Sequence, residues 1–267
     1  MGTPSAPSIR GGAVERQFDH HYADFASSPR GLERIAWTLS HVPADVELVL
    51  EVGAGTGRIA NALRERGTRV VAIDLSLNGL RACRTHRVKG SSAELPFRTG
   101  AYDLVICAEV IEHLPPDVRE ATLRELDRVS RRRILLTVPN AEILEEMQTR
   151  CDRCGTRFHV DGHLASFTGA SLARLYPYRV AKLLTSGHRA RAWVPVLLTV
   201  RQRLLRCYAW ETPLTCPTCL NSDVQPPVRS LAVKIIDRLN HYLGREREAG
   251  WLLALFDKQV SARVTTA

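Results

Sequence analysis

Two short stretches decide the fold: VLEVGAGTG at residues 49–57 and VVAID at residues 70–74. The first joins a β-rich run to a helical pattern through a glycine-rich turn, where Gly53, Gly55 and Gly57 clear side chains from a sharp backbone reversal. The spacing is Gly-x-Gly-x-Gly, with Arg58 where a nicotinamide-type G-x-G-x-x-G would place its last glycine, and acidic Glu51 precedes the turn. Asp74 closes the second run, twenty-one residues after Gly53. A carboxylate at that place can accept from both ribose hydroxyls of an adenosine-type ligand and would repel a 2′-phosphate. Asp74 could equally cap the turn that begins at Ser76.

Outward from these stretches, short apolar runs alternate with helical periodicity from about residue 30 to 140, the pattern of a doubly wound α/β unit with a parallel sheet. Strands are expected at 48–52, 70–74, 87–89, 104–108 and 134–138, and helices at 58–65, 78–85 and 116–130. Pro116 followed by Asp117 suits a helix start, because the missing N–H costs nothing there and the carboxylate meets the positive end of the dipole. After Asn140 the alternation breaks. Residues 178–184 and the run WLLALF at 251–256 read as strands, with helices at 195–208 and 228–243 between them. The expected division is a tail at 1–14, a core of 15–186 with 249–267, and a helical insertion at 187–248.

Further stretches follow in order: GSSAELPF at 90–97, YDLVICAEVIEHLPP at 102–116 and LLTVPN at 135–140. With these in register the chain resembles class I S-adenosylmethionine-dependent methyltransferases of the small-molecule, methyltransferase-11-like type, over about residues 15–139 and the terminal WLLALFDK. The resemblance implies a Rossmann-like, doubly wound, seven-stranded sheet whose last strand is antiparallel. It places S-adenosyl-L-methionine against Glu51, Gly53, Ala54, Gly55, Gly57, Asp74 and Leu75, with Ser92, Ala93 and Glu94 bordering the adenine and Cys107 beside the methionine part. His113, in EVIEHL, would face the donor pocket as a base or order the loop through hydrogen bonds. His163, in GHLASFT, is similar to a residue bordering the acceptor pocket, and His21 and Tyr22 to an N-terminal helix that closes over the cofactor.

The seven cysteines are an odd number in a chain that starts without a secretory pattern, which argues against a disulfide framework. Cys83, Cys107 and Cys207 sit in apolar or helical patterns and read as small buried residues. Cys151 with Cys154 and Cys216 with Cys219 form two Cys-x-x-Cys pairs that resemble the knuckles of a zinc ribbon. Four thiolates leave no water position, so the expected zinc is structural, stapling the insertion to the segment after the fifth strand. A rival set uses Cys151, Cys154, His159 and His163.

The 267 residues are 45% hydrophobic and 24% charged, a balance that excludes global disorder. The longest clean apolar stretch, 192–200, is too short to span a membrane, so no span and a cytoplasmic location are expected. The formal net charge is +9, carried by 33 Arg and four Lys against 28 acidic residues. The leading expectation is methyl transfer to a small or medium-sized acceptor of sugar, lipid-linked or natural-product type, anionic if the Arg-rich stretch 179–206 recognises it. A nucleic-acid methyltransferase and a non-catalytic cofactor-binding relative are the alternatives. A single tryptophan, Trp193, stands among these arginines, too few aromatic residues to stack a run of bases, which counts against the former.

Overall fold

A computed structural model describes residues 28–210, 214–248 and 250–261. The tail at 1–14, His21 and Tyr22 lie outside the described residues. Helix α1 (Pro29–Ser40) leads into β1 (Leu48–Val52), α2 (Arg58–Glu65), β2 (Arg69–Asp74), a single turn α3 (Leu77–Leu80) and β3 (His86–Lys89). Then come β4 (Tyr102–Ala108), a 3-10 turn at Ile111–His113, α4 (Pro116–Val129) and β5 (Ser130–Pro139). The second part holds a 3-10 turn at Leu144–Met147, the ribbon β6 (Gln148–Arg150) and β7 (Arg157–His159), α5 (Gly169–Ala173) and β8 (Tyr178–Ser186). It continues with β9 (Arg189–Arg191), α6 (Pro195–Thr199), α7 (Leu231–Leu243), β10 (Glu246–Glu248) and β11 (Trp251–Ser261).

Seven strands form one sheet in the order β3-β2-β1-β4-β5-β11-β8. β1 pairs in parallel with both β2 and β4, and β4 pairs in parallel with β5. The last strand, β11, runs antiparallel to both of its neighbours, β5 and β8. The chain therefore has the expected α/β Rossmann-like, seven-stranded arrangement.

Strand alternation divides the core between the two faces of the sheet. Leu50, Val52, Val105, Ile134 and Leu136 pack with Leu126 and Val129 of α4 and Leu172 of α5. Val49, Leu104, Ile106 and Leu135 pack instead with Leu39 of α1 and Ile59 and Leu63 of α2. Helices on both faces explain why the central strands read as unbroken apolar runs, and why WLLALF at 251–256 is wholly buried.

Three helical expectations are adjusted. The helix at 78–85 shrinks to the turn at Leu77–Leu80, capped by the Ser76 hydroxyl, because Gly79 packs against the Gly55 carbonyl and Arg84 N–H turns away to the Asn61 side chain. The helix expected at 195–208 unwinds at Leu204 after a π turn, and Arg206 takes φ 51°. α7 begins at Leu231, capped by Ser230, and turns the stripe Leu231, Ile235, Leu239 and Tyr242 outward, while Val233 and Asn240 are its buried positions. Asn240 Oδ1 accepts from Val194 N–H, so a polar contact fixes that helix where an apolar one was expected.

β9, α6, α7 and β10 all fall between β8 and β11 in the chain. Among the described residues no helix is long and apolar enough to cross a membrane.

Candidate active site and cysteine cluster

β1 ends at the glycine turn, where Gly53, Gly55 and Gly57 take φ of 70°, 51° and 68°. Such angles favour glycine, and space demands it too: a Cβ on Gly53 would lie 2.3 Å from Cγ2 of Val110. A Cβ on Gly57 would lie 2.7 Å from the Cys83 sulfur. The turn is thus a cradle pressed against the exit of β4, with Gly53 and Ala54 N–H bonded to the Ile73 carbonyl of β2.

The two carboxylates of this edge are buried. Glu51 accepts from Ala60 N–H at 2.8 Å, so it receives the first turn of α2, and burial pushes its pKa up to about 8, with the nearby Asp74 charge adding to the rise. Asp74 accepts from Gly55 N–H through Oδ2 and from Ser76 N–H through Oδ1, both at 2.7 Å. Its position at the carboxyl end of β2 holds the glycine turn as well as the start of α3. A carboxylate oxygen has two lone pairs, so these bonds leave capacity for ribose hydroxyls. Leu75, which follows, is 40% exposed and offers an apolar surface beside that carboxylate.

The remaining positions divide. Ser92 and Ala93 are partly exposed, with Ser92 Oγ 2.9 Å from Thr122 Oγ1 of α4, and Glu94 is exposed. Cys107 has no exposed surface and lies in the apolar core, where burial raises its thiol pKa. At this strand end it is Ala108 and Glu109 that are partly exposed.

Glu109 follows Cys107 and Ala108 at the exit of β4. It sits at φ 56°, a left-handed conformation rare for a non-glycine side chain, while its N–H bonds Thr137 O at 2.9 Å. Its Oε2 pairs with Arg34 of α1 at 3.2 Å, tying the first helix over the end of β4.

Beyond it the 3-10 turn carries Glu112 and His113. Glu112 is fully buried and is pushed up to about 8 by desolvation. Burial and the neighbouring His163 push His113 down to about 3, which keeps the imidazole neutral at physiological pH. Leu164 and Ala165 N–H both donate to the Glu112 carbonyl, and this docks the loop carrying His163 onto the turn. The His113 and His163 rings approach to 4.7 Å between centroids, and His159 stacks on the other side of His163 at 4.6 Å. Glu142 accepts from His163 Nδ1 at 2.5 Å and lies 3.3 Å from His159 Nε2; these imidazoles hold its carboxyl down at about 2 against the cost of burial.

The four cysteines expected to act together do meet. Cys151 and Cys219 sulfurs lie 3.7 Å apart, and Cys154 and Cys216 sulfurs 3.6 Å. Cys151 O accepts from Gly155 N–H and Cys216 O from Leu220 N–H, so each pair forms the same tight knuckle. Gly155 at φ 75° meets the need for a left-handed residue after the second cysteine; Leu220 meets it at φ 57° despite its side chain. The rival set is separated: His159 and His163 belong to the carboxylate cluster, not to the cysteines. Around the cysteines, Phe158, Val160, Leu214 and Val224 make a small core of their own.

Comparison with known proteins places this geometry. The sequence model of a family described as a methyltransferase domain matches residues 50–136. The match covers about a third of the chain. The ubiquinone biosynthesis O-methyltransferase of Paracidovorax citrulli is 28% identical over 112 residues, 36% of this chain and 47% of that one. The chain spans less than half the length of this and similar curated relatives.

Among solved structures, the 1,6-didemethyltoxoflavin-N1-methyltransferase of Burkholderia thailandensis aligns with a TM-score of 0.52 at 16% identity, covering 97% of this chain and 92% of that one. A SAM-dependent methyltransferase of Archaeoglobus fulgidus aligns at 0.51 and 16%, over 88% and 96%. At these identities the likeness is one of fold. The matched residues take in part of β1, all of β2 to β4, most of β5 and the glycine turn; the loop carrying Glu142, His159 and His163 and the two cysteine pairs lie outside the match.

Proposed function

We propose that the protein transfers the methyl group of S-adenosyl-L-methionine to an oxygen of a small or medium-sized acceptor. The observation that carries this reading is the glycine cradle facing Asp74 at the carboxyl edge of β1 and β2, within a matched methyltransferase domain. That turn fits an adenosine cofactor: its glycines hold positive φ and leave bare backbone, a carboxylate stands where ribose hydroxyls need an acceptor, and Leu75 supplies an apolar neighbour. The names of the partial sequence relatives support oxygen as the acceptor atom.

Bound there, the cofactor would supply an electrophilic methyl group carried on a sulfonium. The residues of this chain do the positioning. Gly53, Ala54, Gly55 and Gly57 allow close approach of the amino-acid part and adenosine, Asp74 fixes the ribose, and Leu75, Ser92, Ala93 and Glu94 frame the base. Glu51 holds the first turn of α2 in place. Holding the nucleophile in line with the carbon–sulfur bond is worth roughly 7–11 kcal/mol of barrier. His113 is held neutral by burial, which makes it too weak a proton acceptor to act as a base near neutral pH and leaves it the role of ordering the loop after β4.

A pocket of about 560 Å³ between the 3-10 turn at Leu144–Met147 and the insertion supports an acceptor of appreciable size. It is lined by Met147, Trp193, Tyr208, Trp210, Arg201 and Arg229 among others. Both of these arginines pair with Asp237, Arg201 at 2.9 Å and Arg229 at 3.9 Å, so the pocket carries little unmet positive charge. Several insertion arginines are paired locally, Arg191 with Glu246, Arg201 with Asp237 and Arg247 with Glu146, which favours a small acceptor over a phosphate backbone.

The cysteine cluster fits a structural zinc. Tetrahedral Zn–S bonds of about 2.3 Å place sulfurs roughly 3.8 Å apart, close to the 3.6 and 3.7 Å found here. Zinc held by Cys151, Cys154, Cys216 and Cys219 would staple the insertion to the segment after β5 and form a lid on the acceptor side. The test is transfer of a labelled methyl group from S-adenosylmethionine to phenolic and hydroxylated acceptors; binding of S-adenosylhomocysteine with no transfer to any acceptor would point to the non-catalytic reading.

A further inference from the structure

We propose that α7 docks on anionic lipid surfaces, laying its outward apolar stripe beneath the headgroups while the cations along its margin meet lipid phosphates.

The first observation is the direction in which the helix faces. Leu231, Ile235, Leu239 and Tyr242 recur at three- to four-residue spacing and form one stripe, with Leu243 beside its end; all five are between 43% and 73% exposed. Val228, just before the helix, is 85% exposed. A helix held in place by its apolar face would turn these side chains inward. Here only Val233 and Asn240 are buried, and polar contacts fix the two ends. The Ser230 hydroxyl accepts from Val233 N–H, Asn240 Oδ1 accepts from Val194 N–H at 2.8 Å, and Gly244 O accepts from the Arg191 guanidinium at 3.1 Å. The stripe is therefore presented on a preformed helix, and a contiguous exposed apolar patch of this kind marks a contact surface.

The second observation is charge. Lys234 and Arg238, one turn apart, follow one margin of the stripe, and the Arg238 guanidinium lies over the Tyr242 ring, 5.6 Å from its centroid. Lys234, Arg238 and, just past the helix, Arg245 are exposed and make no ion pair among the described residues. The one acidic residue of the helix, Asp237, is turned to Arg201 and Arg229, with which it pairs at 2.9 and 3.9 Å. The turn that Arg201 bonds to the helix carries exposed Arg203, Leu204 and Arg206. From Gly187 to Glu248 there are ten basic residues against five acidic ones, so the whole insertion favours an anionic partner.

These two observations choose the occupant. An exposed apolar face with a basic margin is the pattern of helices that lie in the plane of a bilayer interface. The 13 residues of α7 span about 20 Å, too short to cross a bilayer and long enough to lie along one. A second copy of this face would bring no acidic side chain to Lys234 and Arg238, and a nucleic-acid backbone would leave the stripe uncovered. An anionic bilayer meets both.

Arg201 and Arg229 line the pocket beside the insertion, and their shared partner Asp237 belongs to this helix. Docking thus brings that pocket close to the lipid surface, where an acceptor carrying an apolar chain is concentrated. This consequence rests on the methyl-transfer reading, whereas the docking does not.

The test is co-sedimentation of the zinc-loaded full chain with vesicles of phosphatidylcholine alone, and of phosphatidylcholine and phosphatidylglycerol in equal parts. Binding to the mixed vesicles is expected, at least about 10-fold tighter than to phosphatidylcholine alone and weakened by added salt. Lys234→Gln with Arg238→Gln should weaken it roughly 10- to 30-fold. Ile235→Ser with Leu239→Ser should weaken it by at least about 30-fold. All four positions are exposed, so both double variants should keep the wild-type melting temperature and affinity for S-adenosylhomocysteine. Leu32→Ser, at an exposed leucine of α1, should leave vesicle binding unchanged. Absence of wild-type binding to the mixed vesicles would overturn the proposal. So would binding that Ile235→Ser with Leu239→Ser leaves undiminished, which is adsorption of a cationic protein without the stripe. A wild-type dimer that ignores vesicles and dissociates in that variant would assign the face to a second copy instead. Failure of the wild type to bind S-adenosylhomocysteine in the same samples would count against methyl transfer and leave the docking result standing.

Discussion

The donor half and the cysteine-bearing half of this chain are ordered by different means. β1, β2, β4 and β5 with α2 and α4 bury two continuous apolar layers, one on each face of the sheet. Around Cys151 and Cys216 the apolar core is only a handful of residues, and the backbone is mostly turns and short ribbons. The first can hold its shape by burial alone; in the reading proposed above, a metal bridging the four sulfurs holds the second. The contrast teaches where each half is vulnerable: the donor site to changes of backbone shape, the insertion to loss of a ligand.

The largest expected effect breaks the second half only. Apparent binding free energies on the order of 10 kcal/mol accompany structural zinc, so Cys216→Ser or chelation should release the metal and free the amides of Cys151, Gly155, Cys216 and Leu220 to exchange. Amides of β1 and β4 should keep their protection; hydrogen exchange reads both at once. Equal loss of protection in the two halves would erase the contrast.

The next effect belongs to the donor half. Gly53→Ala adds a Cβ 2.3 Å from Val110 at φ 70°, and should lower stability by about 2–4 kcal/mol in a denaturant titration, with binding of S-adenosylhomocysteine lost. Asp74→Ala removes a charged acceptor worth about 1.5–3 kcal/mol, so calorimetry should show binding weakened roughly 10- to 100-fold with the fold retained.

The smallest effect is a pH dependence. Burial pushes Glu51 up to about 8 from an ordinary glutamate value of 4.5, so the folded state holds the extra proton between those values. Stability contributed at low pH is therefore lost as pH rises from about 4.5 through 8. Glu51→Gln, which keeps an acceptor for Ala60 N–H, should flatten that decline in melting temperature.

The donor half was legible because its chemistry is local in sequence. VLEVGAGTG and VVAID each carry their own strand and acidic residue, and the family resemblance they carry implies seven strands with an antiparallel last one. The cysteine pairs were legible by spacing, though their mutual approach across 61 intervening residues became visible only in three dimensions. The outward stripe of α7 was not legible, since a helical period tells which residues share a face and not what that face meets. Nor was the cluster of Glu112, Glu142, His159 and His163. Its members come from three separate segments that only the two bonds to the Glu112 carbonyl and the Glu142 bridge bring together. Glu109 gave no sign of its left-handed backbone either, because no residue type marks that conformation outside glycine and asparagine.

The measurement that bears most directly on the central claim is calorimetric titration of the zinc-loaded full chain with S-adenosylhomocysteine, run beside Asp74→Ala. Binding of one molecule per chain, weakened in the variant, is the predicted result. Absence of binding by the wild type, or equal affinity in the two proteins, would contradict the assignment of the glycine cradle and Asp74 as the donor site.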